Sequence, residues 1–384
     1  MQKKTFLMQN YKIDSLSFEK GEGCFLYSKN GKKYLDFIAG VAVNALGYGH
    51  KKMLKAIENS YKKPLHVSNL FKIPEQENLA KKLCQTIDSD FEVMFVNSGT
   101  EANEAALKLA RKKTGKKDFI SFSGAFHGRT FGSLSVTPKP KIQKDFVPLL
   151  ANCKKLEFNS LQDLDKINDK ASAIVFEFVQ GEGGINIANP QWIKKLFQIA
   201  KEKKILLIAD EVQTGIGRTG NFFGFQNYGV LPDIVTLAKG LGGGVPIGAV
   251  LAKKNVAEAF SPGSHGSTFA GSPFISSISS AVVDEISKPK FLEKVQKNSD
   301  YFLKKLKNIS KKFPKKIKEV RGLGFLIGIE FFNEKEAQKV SEILKKKYAI
   351  LTNVTAEKVL RLIPPLIITK KELNLFLKKF LEIL

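Results

Sequence analysis

Between Ile205 and Gly244 the chain reads ILLIADEVQTGIGRTGNFFGFQNYGVLPDIVTLAKGLGGG, and no other stretch restricts the possible folds as much. A short apolar run, Ile205 to Ala209, ends in Asp210 and Glu211. A second, Ile234 to Ala238, delivers Lys239 into a glycine-rich turn, Gly240 to Gly244. Short apolar runs bounded by turn signals read as buried strands. Open α/β sheets place their ligands beyond the carboxyl ends of such strands. The pattern therefore predicts one acid and one amine side by side at the ends of two neighbouring strands.

That pair suits one cofactor. Pyridoxal phosphate needs a lysine to hold its aldehyde as an imine and a carboxylate to keep its ring nitrogen protonated, because the protonated ring is the electron sink for a carbanion. Lys239 and Asp210 fit the two roles. Either alone reads as a surface lysine or a strand-end cap; the glycine turn after Lys239 and the motifs elsewhere reverse that balance.

The clearest of those motifs is Phe91 to Val96 followed by Asn97-Ser-Gly-Thr-Glu-Ala-Asn103. A strand ends in a Ser-Gly-Thr turn and a helix begins, with Ala102, Ala105, Ala106, Leu109 and Ala110 on one face. The free amides of the first helical turn, with the hydroxyls of Ser98 and Thr100, make a phosphate cradle. Further on, Gly124-Ala-Phe-His-Gly-Arg-Thr130 offers Phe126 for stacking on a flat heterocycle and Arg129 for a substrate carboxylate. His127 reads equally well as a hydrogen-bonded structural histidine and receives no acid–base role. Ala173 to Glu177 reads as a strand entering Gln180-Gly-Glu-Gly-Gly184, where flanking glycines would leave Glu182 a mobile carboxylate.

Strands alternate with helices beyond Phe91, which predicts a largely parallel central sheet covered on both faces. Short β-like pieces around Lys29-Asn-Gly31 suggest a hairpin-rich lobe up to Gly49. Val320 to Glu330 is strand-like and opens a C-terminal α+β lobe. The expected division is 1–49 as the N-terminal part of a small lobe, 50–286 as a large cofactor-binding α/β domain, and 287–384 as the C-terminal small domain, with the boundary near Ser287.

The formal net charge of +25 raises nucleic acid as a partner. The lysines are spread along the whole chain, however, with no arginine-rich block, zinc-finger spacing or RNP-like aromatic run, so no nucleic-acid partner is expected. A dinucleotide-dependent oxidoreductase would need a Gly-x-Gly-x-x-Gly turn after an early strand, and none stands there. Only five arginines occur against 57 lysines. Those at 129, 218, 321 and 361 read as places where a planar fork is needed, whereas Arg111, near a helix end, reads as chance. Arg129 and Arg361 are the candidate substrate clamps. Cys24, Cys84 and Cys153 form no Cys-x-x-Cys and suggest reduced thiols in a cytosolic protein. The opening MQKKTFLMQN lacks the apolar core of a signal peptide, and no apolar run approaches membrane-spanning length, so no membrane partner is expected.

Taken in order, Gly40 to Gly47, His66 to Phe71, Asn97 to Asn103, Phe126 to Thr130, Gln180 to Gly183, Asp210 to Gly215, Ala238 to Gly240, His265 to Phe269 and Arg361 to Pro365 make the chain resemble the class III, fold-type I pyridoxal-phosphate aminotransferases, and among them the acetylornithine aminotransferases. The resemblance spans nearly the whole length. It implies an α/β fold with a mainly parallel central sheet, helices on both faces and a smaller α+β lobe built from both termini. Lys239 would carry the cofactor, Asp210 would pair with the pyridine nitrogen and Gln213 would reach the ring hydroxyl. Val212 and Phe126 would sandwich the ring. Ser98, Gly99 and Thr100 would bind the phosphate, joined by Thr268 from the second subunit of a homodimer whose active site lies at the interface. Ser267 beside it is expected at the substrate, and no metal is expected.

The implied reaction moves the δ-amine of N-acetylornithine to 2-oxoglutarate in two halves. Arg361 would hold the 2-oxoglutarate carboxylate nearest the cofactor, Glu182 would cover Arg361 in the other half, and Arg129 would bind the distal carboxylate. N-succinyl-diaminopimelate, succinylornithine, ornithine and 4-aminobutyrate are rival donors, the last weakened by the Phe126 to Arg129 motif. Glu177-Phe178 where Glu-Pro is usual, Ala270 to Ser272 where Gly-Gly-Asn is usual, and Gly49-His50-Lys51 without its proline depart from the pattern and bear on substrate choice more than on reaction type.

Overall fold

The computed structural model describes residues 5–87 and 90–384. Its centre is a seven-stranded sheet in the order Phe91–Val96, Gly248–Lys253, Ile234–Leu237, Leu206–Asp210, Ala171–Phe176, Asp118–Phe122, Cys153–Leu156. Gly248–Lys253 runs antiparallel to both of its neighbours, and the remaining neighbouring pairs are parallel. Six strands therefore point the same way, and their carboxyl ends gather along one edge. The Asp210 and Lys239 strands are direct neighbours, with Asp210 opposite Thr236.

The continuous apolar runs follow from burial on both faces. Every residue of Ala171–Phe176 is buried. On one face lies the helix Gly99–Thr114, whose alanines at 102, 105, 106 and 110 let it approach the sheet closely; its end is set by Gly115 in the left-handed conformation (φ 69°). On the other, Trp192 from the helix Pro190–Glu202 is fully buried among aromatic rings, 4.7 Å from Phe122, 5.1 Å from Phe158 and 6.5 Å from Phe176 by ring centroids. Phe178, where a proline was anticipated, is also buried and packs on Phe176 and Tyr228 at 5.0 Å each, so this departure adds core instead of loosening a loop.

Chain ends meet in a separate four-stranded sheet, where Ile350–Leu351 pairs parallel with Lys33–Asp36 of an N-terminal meander. One local expectation is corrected. Val320 to Glu330 is not a single strand but a hairpin, Ile317–Leu323 and Leu326–Phe331, that turns at Gly324 with φ 58°. A Cβ at Gly324 would lie 2.4 Å from the Arg218 carbonyl oxygen, so the turn needs glycine for space as well as for backbone angle. The hairpin and Val359–Leu362, which carries Arg361, share a third sheet.

No helix among the described residues is long and apolar enough to cross a membrane. Trp192 is the only tryptophan, so its emission reports the packing of the large sheet. Phe176→Ala should lower stability by about 3–5 kcal/mol through the cavity it leaves, read as an earlier denaturant midpoint for the Trp192 emission shift; an unmoved midpoint would show that this aromatic cluster does not stabilise the sheet.

Candidate active site

Five strand-end segments converge on one cavity of about 460 Å³, within the range of small-molecule sites. The segment after Phe91–Val96 contributes Ser98, Gly99 and Thr100; the one after Asp118–Phe122, Phe126, His127 and Arg129; the one after Ala171–Phe176, Glu177 and Glu182. Asp210, Val212 and Gln213 follow Leu206–Asp210, and Lys239 follows Ile234–Leu237. Val43 joins them just after a turn at Ala39 to Ala42, whose four residues all have positive φ; the amides of Ile38 and Ala39 at its start donate to the buried Asp36 carboxylate.

Asp210 is buried and held on three sides. His127 Nδ1 lies 2.7 Å from its Oδ2, Asn103 Nδ2 donates to the same oxygen at 2.9 Å, and the Val212 amide donates to Oδ1 at 3.0 Å. Burial alone would depress the His127 pKa, but the hydrogen bond and charge of Asp210 outweigh it and the net shift is upward. His127 Nε2 is buried without a partner among the described residues. Sequence reasoning left His127 without a function and overlooked Asn103; both serve to fix the Asp210 carboxylate. Asn103 had a signal, since it falls on the sheet-facing side of its helix, where an unpaired amide would be costly.

Lys239 has φ 42°, a left-handed conformation that costs energy in a non-glycine residue and is typical of functional positions. Burial lowers its pKa, and the nearby Arg361 pushes the same way against Glu182 and Asp210. Its amine lines the cavity with no hydrogen bond among the described residues.

At the helix start Ser98 is the N-cap, accepting from the Glu101 amide at 3.2 Å. A Cβ on Gly99 would sit 2.8 Å from Val212 Cγ1, so glycine is what permits the helix start and the Val212 wall to meet. The Thr100 hydroxyl is engaged with Thr130 and Ser133 at 2.8 and 2.6 Å, which leaves main-chain amides as the main donors of the cradle.

Glu182, on the cavity lining, forms an ion pair with the buried Arg361 behind it. Burial works to raise the Glu182 pKa, yet the charge and hydrogen bond of Arg361 hold it below the ordinary carboxylate range. Arg361 NH1 also donates to the Gly181 carbonyl at 3.0 Å and to Gln213 Oε1 at 3.2 Å. The glycines around Glu182 do not loosen its backbone as anticipated. A Cβ on Gly181 would lie 2.2 Å from Gln213 Oε1 and one on Gly183 2.8 Å from the Gly124 oxygen, so they serve close packing. Arg321 Nε donates to Gly184 O at 3.0 Å, and Thr355 Oγ1 and Lys139 Nζ donate to Glu182 O at 3.1 and 3.2 Å. The Glu182 main chain is thus held, and its side chain is bonded to Arg361.

Glu177 is a second residue that sequence reasoning overlooked, although it stands at a strand end just as Asp210 does. Buried, with a pKa raised to about 7 by desolvation, it accepts from the amides of Phe126 at 3.1 Å and Gly181 at 3.3 Å and so ties two cavity loops together. Arg129 is exposed at the mouth, its guanidinium 5.7 Å from the Phe126 ring centroid. Ser267 and Thr268 are not brought into this cavity. Ser267 accepts from Asn97 Nδ2 at 2.8 Å and lines a neighbouring hollow, and Thr268 faces outward, exposed. Arg111 is not a chance arginine: its Nε and NH2 both donate to the Lys117 carbonyl, at 3.1 and 2.7 Å.

An unpartnered amine, a carboxylate clamped by imidazole and amide, Val212 and Phe126 on the lining of the same cavity, and a helix start suited to an anion fit pyridoxal phosphate. The aminotransferase class-III family profile matches residues 8–384, and the chain belongs to that family of pyridoxal-phosphate enzymes. Among its relatives, the acetylornithine aminotransferase of Aquifex aeolicus is 46% identical over 99% of this chain and 100% of that one, and that of Methanocaldococcus jannaschii is 44% identical over 99% and 96%. The ornithine aminotransferase structure from Toxoplasma gondii ME49 superposes with a TM-score of 0.93 at 28% identity, covering 98% of this chain and 93% of that one. The N-acetylornithine aminotransferase structure from Stenotrophomonas maltophilia gives 0.84 at 28%, covering 97% and 96%.

Because the neutral amine is the reacting form, a lowered Lys239 pKa moves covalent uptake of pyridoxal phosphate toward lower pH. The uptake rate of the apoprotein, followed by visible absorbance, should reach half-maximum below the pH of an ordinary lysine, and Lys239→Arg should abolish the band. A half-maximum at or above that pH would contradict the assignment.

Proposed function

We propose that the protein transfers the δ-amine of N-acetyl-L-ornithine to 2-oxoglutarate, yielding N-acetyl-L-glutamate 5-semialdehyde and L-glutamate, a step of arginine biosynthesis, and that it does so as a cytoplasmic homodimer. The observation that carries this reading is the ion pair of Glu182, which lines the cavity with Lys239, and Arg361, both close enough for their charges to act on that lysine. A site that takes an amine donor with no carboxylate near the reacting carbon, and then a dicarboxylate, needs an arginine that is covered in one half of the cycle and bare in the other.

Pyridoxal phosphate, when bound, supplies the electron sink that makes the substrate C–H acidic. Lys239 Nζ, biased toward its neutral form by burial, takes up that proton and returns it in the next step. Asp210, oriented by His127 and Asn103, would pair with the ring nitrogen. Ser98, Gly99 and Thr100 would hold the phosphate at the helix start and Val212 and Phe126 would bracket the ring, while Gln213 steadies Arg361. Arg129 binds the distal carboxylate common to both substrates, where a bidentate fork gives direction as well as charge. Arg361, once uncovered, binds the carboxylate next to the carbonyl of 2-oxoglutarate.

The homodimer is supported by surface chemistry around the outward-facing loop. Leu70, Phe71 and Phe269 are 90%, 71% and 67% exposed, an apolar area of the kind a second copy covers. A partner seated there would bring its own Thr268 and Ser267 toward this cavity.

Ornithine is the second reading for the donor, favoured by the close superposition on ornithine aminotransferase structures. Absorbance of the loaded protein decides between them: N-acetylornithine should bleach the cofactor band and 2-oxoglutarate should restore it. A band bleached by ornithine and not by its acetylated form would move the substrate. Glu182→Ala, leaving Arg361 bare throughout, should raise the rate with glutamate relative to N-acetylornithine about tenfold or more; an unchanged ratio in single-turnover traces would remove Glu182 from the selection of substrates.

A further inference from the structure

The proposed cycle requires the Glu182 carboxylate to leave Arg361 when 2-oxoglutarate enters, and a half-buried carboxylate stripped of its partner is strongly unfavourable. Since the Glu182 carbonyl is pinned by Thr355 and Lys139 and its flanking glycines are packed, the carboxylate moves by side-chain rotation alone and stays close to its own main chain. A second cation must therefore stand nearby.

The cations whose charge acts most on Glu182 are Arg361, Lys239 and Lys139. Arg361 is the one being vacated, and Lys239 is committed to the cofactor. Lys139 remains. Its ammonium makes one hydrogen bond, to the Glu182 main-chain oxygen at 3.2 Å, and pairs with no carboxylate among the described residues. It is half-buried, 5.6 Å from the Phe126 ring centroid, a ring that the Arg129 guanidinium also approaches, at 5.7 Å. Pro138 and Pro140 stand on either side of it, and its amide bonds to the Thr137 carbonyl at 2.7 Å, so its main chain is held as firmly as that of Glu182.

We propose that Lys139 is the second station of the Glu182 carboxylate, a positioning residue that receives it from Arg361 and so lets the arginine meet the dicarboxylate substrate. This rests on the reading of Glu182 and Arg361 as a substrate switch. Lys139 holds the Glu182 carbonyl in either state, and two of its three N–H donors remain for the arriving carboxylate. It leaves the amine-donor half untouched, because there Glu182 stays on Arg361.

The test separates the half-reactions in holoenzyme by single-turnover absorbance. Lys139→Met should lower kcat/KM for 2-oxoglutarate about tenfold, as expected for the loss of a half-buried charged partner, and keep that for N-acetylornithine within about twofold. Lys139→Arg should restore most of the loss. Calorimetric binding of glutarate, an unreactive dicarboxylate, should weaken by a similar factor in Lys139→Met without any turnover. Equal losses in both halves with no rescue by arginine would make Lys139 a loop brace and overturn the proposal, as would full 2-oxoglutarate activity and glutarate binding in Lys139→Met. Failure of the underlying switch shows separately, as wild-type enzyme that N-acetylornithine has bleached but whose cofactor band 2-oxoglutarate does not restore.

Discussion

Carboxylates held out of water at the ends of parallel strands set the terms for the rest of this structure. Asp210, Glu177 and Glu211 are all buried, and a buried carboxylate persists only if its oxygens are bonded. Asp210 takes His127, Asn103 and the Val212 amide; Glu177 takes the amides of Phe126 and Gly181; Glu211 takes the Thr214 hydroxyl at 2.6 Å and the amides of Gly224 and Phe225 at 2.8 Å. The bonds from His127 and Asn103 to Asp210 and from Phe126 to Glu177 join strand ends to segments distant in sequence. The loops that build the cavity are thus placed by the need to satisfy those oxygens, and the rigidity a cofactor site requires comes from the same bonds.

In the proposed cycle one side chain moves against this fixed frame. The carbonyls of Gly181, Glu182 and Gly184 are bonded by Arg361, by Thr355 and Lys139, and by Arg321, so the main chain beside the cavity is held while the Glu182 carboxylate would exchange partners. Four of the five arginines bond main-chain carbonyls: Arg111, Arg218, Arg321 and Arg361, with Arg218 reaching Pro364 at 2.6 Å and Phe325 at 3.2 Å. A chain that otherwise uses lysine keeps arginine where a planar fork must reach oxygens in fixed directions. Lysine, with a compact charge on a flexible stem, is suited to the two places where a cation must give up or change its partner, Lys239 and Lys139.

Much of the site was readable before any coordinates. Asp210 and Lys239 announced themselves as polar residues closing apolar runs, and the Ser98 to Thr100 turn as a helix start. His127 and Asn103 were not readable in the same way. A histidine in a Phe-His-Gly motif looks alike whether it bonds a carboxylate or fills a core, and the partner that decides, Asp210, lies 83 positions away. The glycines around Glu182 pointed to mobility because sequence shows a missing Cβ and not the Gln213 oxygen that occupies its place.

The sequence by itself determined the alternation of strands and helices, the strand ends that carry charge, and the kinds of side chain available there, since these depend on local periodicity and on residue chemistry. Only the tertiary structure decided which strands lie side by side, which carboxylates are satisfied by which amides, that Val320 to Glu330 folds back as a hairpin, and that Lys139 sits on the carbonyl of Glu182. Those are pairings between residues far apart in the chain. They are settled by which polar groups must find each other once water has been excluded, and no local pattern records that outcome.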